Sequence, residues 1–247
     1  MSNARKRLAP RSHEATRWRR GKAQGELRLE SRHGGSRPGA GRKRDPRNHD
    51  APHRPRKPIR RTMPVHVVLR VRPEVGWMRR MDVFAAVRHA IRVAHAHAGF
   101  SIAHLSIQGR HVHLLVEADS NETLSAGMQV LSSTAARAIN RTRDRRGKVF
   151  AFRFHDTQIT APRQARNALA YVLNNWRRHG EDRGSSWLVD KFSSAVSFDG
   201  WLDHPRFAVP ADYEPLPVAA PRSWLLRVGW RKHAPIRTTE TPGPLSA

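Results

Sequence analysis

Two short constellations carry residue types able to do chemistry. The first is Gly109-Arg110-His111-Val112-His113-Leu114-Leu115-Val116-Glu117, which alternates as a β-strand does. Residues i and i+2 of a strand share a face. His111 and His113 therefore project side by side and can chelate one cation, while Val112, Leu114 and Val116 turn toward a core. Two imidazoles are fewer ligands than a metal site needs, so the spacing equally fits two ordinary half-buried histidines. His95-Ala96-His97 repeats the spacing near the end of a predicted helix, where i and i+2 are about 200° apart and the rings diverge. The second constellation is Ala168 through Gly180, a helical pattern in which Tyr171 and Asn175 stand one turn apart on one face. A phenol is a possible nucleophile, and a carboxamide oxygen is an acceptable hard ligand for Mg²⁺ or Mn²⁺. The structural alternative is a tyrosine packed between helix and sheet and a capping or solvated asparagine. The chain has two tyrosines, and Tyr213 lies in a Pro-rich stretch, so a tyrosine nucleophile, if there is one, is Tyr171.

The elements that must position these groups are legible in outline. Met63 to Val71 is rich in β-branched residues and predicts a strand. Asp82 to His97 carries Val83, Phe84, Val87, Ile91 and Ala94 at helical spacing, and Gly99 ends the helix. Phe100–Ile107 and His111–Glu117 predict two strands joined at Gly109-Arg110. A second helix starts at Asp119-Ser120-Asn121-Glu122 and buries Leu124, Met128, Leu131, Ala135 and Ile139. Val149 to Ile159 alternates and predicts a strand or ribbon, and Ala161-Pro162 opens the tyrosine-bearing helix. The order β-α-β-β-α-β-α predicts an α+β, ferredoxin-like sandwich: an antiparallel sheet with two helices on one face and the extra helix free to cover the other.

Composition frames this domain. The chain has 247 residues, 46 Lys and Arg against 20 Asp and Glu, a net charge of +26 and no cysteine. Disulfides, thiolate catalysis and cysteine zinc sites are excluded, so a metal would use His, carboxylate, amide or water. The charge calls for a polyanion, nucleic acid first. No apolar stretch is long enough to cross a bilayer and no signal-peptide core follows Met1, so an intracellular (cytoplasmic) location is expected. Residues 1–61 hold nearly half of all Lys and Arg with few large apolar residues, which predicts a disordered basic arm. Within it Ser36-Arg37-Pro38-Gly39-Ala40-Gly41-Arg42-Lys43-Arg44 loosely resembles an AT-hook, or is a solvated linker. The catalytic domain is expected over residues 62–180. Residues 181–247 hold four of the seven Trp amid dense Pro. They are expected to form a tail in which Trp187, Phe192, Phe198, Trp201, Trp224 and Trp230 pack on the core and Thr238 to Ala247 are disordered.

Taken together, His-Val-His-Leu-Leu-Val-Glu on a strand, a long helix, Val149-Phe150-Ala151-Phe152-Arg153-Phe154-His155, and then Tyr-Val-Leu-Asn-Asn-x-Arg-x-His-Gly resemble the IS200-like single-tyrosine HUH transposases, especially their REP-associated branch. The resemblance covers about half the chain. It implies His111 and His113 as metal ligands, Asn175 as third ligand, Tyr171 as nucleophile, and Mg²⁺ or Mn²⁺ as cofactor. It also implies single-stranded or hairpin DNA as substrate, cleaved to a 5′-phosphotyrosine and a free 3′-OH. In many members of that branch proline follows the asparagine; here Trp176 follows, so the helix is expected to run on. Arg110, Arg163, Arg166, Arg177 and Arg178, with Arg37, Arg42, Lys43 and Arg44 of the arm, are candidate phosphate contacts. Glu117 shares the face of the histidines and is expected to be structural. Monomer and homodimer are left open.

The alternative is a non-catalytic, basic nucleic-acid-binding protein on the same fold. The strands lack the aromatic pairs on which such sheets stack bases: Phe100–Ile107 has Phe100 alone and His111–Glu117 has none. Either reading predicts steep salt dependence of single-strand binding. Engagement of about 6 phosphates gives a slope of log K against log[salt] near about −4. A slope near zero in an anisotropy titration over 50–300 mM salt (on the order of a Debye length of 10 Å) would remove the electrostatic argument.

Overall fold

The computed structural model describes residues 56–204 and 207–243. The arm residues Arg37, Arg42, Lys43 and Arg44 lie outside them. Strands β1 (Val65–Arg70), β2 (Phe100–Ile107), β3 (His111–Ala118) and β4 (His155–Gln158) form one antiparallel sheet in the order β2-β3-β1-β4. Helices α1 (Met81–His95), α2 (Asn121–Thr142) and α3 (Pro162–Arg178) complete the β-α-β-β-α-β-α order of a ferredoxin-like sandwich.

Alternation on β1 and β3 sorts side chains into two cores. Val65, Val67, Leu69, Val112, Leu114 and Val116 face one way and meet Phe84, Val87 and Ile91 of α1 and Leu124, Met128 and Ile139 of α2. In α2 the backbone comes so close to the sheet that a Cβ on Gly127 would sit 2.3 Å from the Phe100 ring. The Ser120 hydroxyl caps α2 by accepting from the Thr123 amide. The opposite face, with Leu115 and Ala103, is covered by Ala165, Ala168, Leu169, Val172 and Leu173 of α3. Strand β2 breaks its alternation at a bulge between Ile102 and His104. The extra residue leaves Ile102 and Leu105 in the first core and delivers Ala103 to the second.

The sequence-based strand over Val149–Ile159 is shortened to β4. Upstream of it only an isolated bridge, Val71 to Phe150, joins the segment to the sheet. The reason is competition for side chains: Val149, Phe150 and Phe154 pack against the first core, and the Arg56 guanidinium sits 4.1 Å from the Phe154 ring centre. The aromatic residues are thereby spent on packing rather than on a ladder.

Residues beyond α3 wrap back onto both cores. Phe192 and Leu216 join the first; Phe198, Trp201, Trp230 and Ile236 join the second. Trp224, at the start of the short helix α4 (Trp224–Arg227), departs from expectation and is 49% exposed. It forms the wall against which Gly229 lies, where a Cβ would meet its ring at 2.7 Å. Glu117 is structural: it is buried, and its two carboxylate oxygens accept from the Arg222 and Ser223 amides at 2.7 Å each. His95 is likewise occupied, accepting from the Ile102 amide.

One ionic knot ties the start of α1 to the segment after α3. Arg79 donates through both Nη atoms to the fully buried Asp190 at 2.9 Å, and to the Ile107 carbonyl at 2.9 Å. Its Nε lies 2.8 Å from Glu181. Burial pushes the Asp190 and Glu181 carboxyls up, and the Arg79 charge opposes that. Removing the cation strands a buried carboxylate. Arg79→Met is expected to lower unfolding free energy by about 3–5 kcal/mol, as for other broken buried pairs. A urea titration showing under about 1 kcal/mol would show the knot to be no stronger than a surface ion pair.

Candidate active site

The register of the sheet assembles a cluster of imidazoles on the α3 face. Val68 pairs with His113 and with His155, and Arg70 pairs with His111. His66, two residues before Val68, falls on the same face. The His111 and His113 ring centres are 6.1 Å apart. His66 and His113 stack within 3° of parallel, with His113 Nδ1 at 3.4 Å from His66 Nε2. Tyr171 presents its ring edge-on, 5.3 Å from His113 and 6.0 Å from His66. A cavity of about 430 Å³ is bounded by His111, His113, His155, Tyr171 and His179, with Arg70 at its edge.

Burial favours the neutral form of His66, His111, His113 and His179. Burial, with the nearby His155, pushes His66 down to about 4. Burial and the His66, His111 and His179 rings push His113 down to about 3. His111 and His179 shift the same way, burial leading in both. Neutral imidazole is the form that ligates a cation or accepts a hydrogen bond.

Among the described residues no group of three or more His, Asp or Glu is arranged to hold a metal ion. A third protein ligand beside His111 and His113 would thus be of another type. Asn175 fits: one turn after Tyr171 on α3, it is fully buried and neither its Oδ1 nor its Nδ2 has a hydrogen-bond partner. Buried carboxamides are almost always satisfied, so Asn175 is an orphan that keeps a free oxygen, although it does not line the cavity bounded by His111, His113 and Tyr171. Asn174 donates through Nδ2 to the Arg237 carbonyl, and its buried Oδ1 is likewise without a hydrogen-bond partner.

The candidate arginines divide. Arg166 is bound to Glu240 and to the Ala234 and Pro235 carbonyls. Arg177 is bound to Asp182 and to the Thr238 and Leu188 carbonyls. Both fasten α3 to the tail. Arg110 and Arg163 are exposed, as is Arg178, which donates once, to the Pro242 carbonyl. Sequence reasoning passed over His66, His155 and His179. His66 carried a usable signal, since it alternates with Val65 and Val67 on a predicted core strand. The contribution of His155 depends on the β1–β4 register, which no local pattern reveals.

Residues 60–174 match the family model described as transposase, IS200-like. Among solved structures, a REP-associated tyrosine transposase bound to a REP hairpin aligns at 17% identity and a TM-score of 0.47, covering 58% of this chain and 82% of that one. A chain from Deinococcus radiodurans R1, described as a transposase candidate, aligns at 13% identity and a TM-score of 0.34, covering 50% of this chain and 92% of that one. No curated protein matches. The family match spans a little under half of the chain, and over that span the chain is similar to IS200-like transposases.

A further buried histidine on the α3 side of the sheet allows a test of this electrostatic picture away from the cavity. His104 shares a hydrogen bond with Ser194 Oγ at 3.2 Å and packs on Phe198, and burial pushes it down to about 4. A histidine held below its unfolded value of about 6.5 contributes fully above that value. The contribution is lost as pH falls from there to the folded value, because the unfolded chain takes up the proton first. His104→Gln should therefore flatten the fall in stability between pH 7 and pH 4 by up to about 3 kcal/mol. Parallel pH profiles of the urea midpoint in the two proteins would contradict this.

Proposed function

We propose that this protein cleaves and rejoins single-stranded DNA, with Tyr171 as nucleophile and a divalent cation, Mg²⁺ or Mn²⁺, held by His111, His113 and Asn175. The observation that carries the reading is that Tyr171, His111 and His113 line one cavity, with the tyrosine ring against that of His113. The transposase family and the +26 charge support DNA as the partner, and hairpin (REP-like) sequences are the substrate proposed.

In this reading the Tyr171 oxygen bonds to phosphorus as the bond from phosphorus to O3′ breaks. The phenolic proton leaves to solvent through the cavity, and the departing oxygen takes up a proton to become a 3′-OH. The new phosphotyrosine holds the 5′ phosphate of the downstream fragment and keeps the phosphodiester energy, so a 3′-OH can attack it and reverse the step without ATP. When bound, the cation offsets charge on the phosphate oxygens in the transition state. His66 has a positioning role. With its proton on Nδ1, His113 donates to His66 Nε2 and is left with Nε2 as its ligating atom, the outer-sphere arrangement that orients metal-binding histidines. Arg70 and Arg178, which line the cavities at Tyr171, and the exposed Arg110 are the proposed contacts to flanking phosphates.

Incubation with labelled hairpin DNA carrying single-stranded flanks, with Mn²⁺, should yield a label that stays on the protein in a denaturing gel. The adduct should vanish in Tyr171→Phe, His111→Ala and chelator. In His66→Ala the Mn²⁺ needed for half-maximal adduct should rise about 10–100-fold. Tight DNA binding without any adduct across a panel of hairpins would favour the non-catalytic binding protein.

A further inference from the structure

Tyr171 stands on a divide between two cavities. Beside the first lies a second, of about 720 Å³, and the two share Val68, His113, His155 and Tyr171. A strand whose scissile phosphate sits at Tyr171 must pass from one cavity into the other.

The second cavity has a distinct chemistry. Its apolar part is Ile159, Ala161 and Ala168. Its polar part is three carboxamides, Gln158 on β4 and Gln164 and Asn167 on α3, with Arg163 and Arg178 and no carboxylate. Two of the carboxamides are held by one end. Gln158 spends its Nε2 on the Lys57 and Pro58 carbonyls at 3.0 and 3.1 Å, which leaves Oε1 as an acceptor. Gln164 spends its Oε1 on the Thr160 amide and hydroxyl at 2.8 and 3.0 Å, which leaves its NH₂ as a donor. Asn167, one turn before Tyr171, offers both. A fixed donor, a fixed acceptor and an apolar wall are what a flat heterocycle with an amide-like edge needs, and Asn and Gln are the residues that read such edges. The volume falls in the usual range of about 300–1,000 Å³ for small-molecule sites, and the arginines suit the phosphates that flank a nucleotide.

We infer that this cavity is a base pocket: it takes one unpaired nucleobase of the DNA strand next to the scissile phosphate, and Gln158, Gln164 and Asn167 determine which base is accepted. The inference rests on Tyr171 marking the position of that phosphate.

The test uses the full chain and a pool of hairpin DNAs with randomised single-stranded flanks. Both the non-covalently bound fraction and the covalent adducts are sequenced. Wild type should enrich one base at one position beside the cleaved bond. Asn167→Ala and Gln164→Glu should lower that enrichment about tenfold, the effect of about 1.4 kcal/mol of lost discrimination. Gln164→Glu keeps the oxygen that Thr160 uses and removes the donor, and both positions are exposed on α3. A far-ultraviolet spectrum and melting curve check that the variants fold. Enrichment unchanged in both variants, or no base preference in wild type, overturns the pocket. If wild type forms no adduct, the reading of Tyr171 fails separately; base preference in the bound fraction that is lost in the variants still upholds the pocket.

Discussion

Helix α3 lies across the sheet on Ala165, Ala168, Leu169, Val172 and Leu173, against Leu115, Ala103 and Ile159. This contact governs the site, because it sets where the polar edge of the helix falls. With the apolar stripe seated, Gln164, Asn167, Tyr171 and Arg178 come to the margin of the interface, where the histidines of β1 and β3 emerge. The same burial strips water from those histidines and keeps them neutral. Position and protonation state therefore have one cause, the exclusion of water from the second face of the sheet.

That helix is not held by the sheet alone. Its opposite side is strapped by the C-terminal residues: Arg166 to Glu240, Asn174 to the Arg237 carbonyl, Arg177 to the Thr238 carbonyl. Glu117, four residues beyond His113 on β3, anchors the same tail through the Arg222 and Ser223 amides. Half-buried arginines that look like nucleic-acid contacts in a linear reading are here intramolecular fasteners. Charge count alone does not tell these roles apart, because it carries no information on which carboxylates and carbonyls the tail brings near.

The sequence was most informative where period and chemistry coincide. Alternation around His111 and His113 reported both the strand and the shared face, and the helical stripe of residues 162–178 reported both α3 and the stacking of Tyr171 over Asn175. It was less informative where long-range packing decides. The Phe150 and Phe154 side chains alternate like a strand, but they serve the first core. The bulge at Ala103 has no local signature. The tail was legible as aromatic and not as architecture, since Trp224 and Trp230 look alike in sequence and end with opposite exposures. His66 shows the limit most clearly: its place on a strand was readable, and its partner 47 residues away was set by strand order.

The family likeness ends at residue 174, within the helix that bears the tyrosine, whereas the fastenings of that helix come from residues up to Pro242. The portable unit is consequently longer than the recognisable one. Anyone transplanting this tyrosine module into another protein would have to carry the tail along. Cut at the edge of the likeness, the graft would contain the Tyr171 hydroxyl but not the bracing of the helix that carries it.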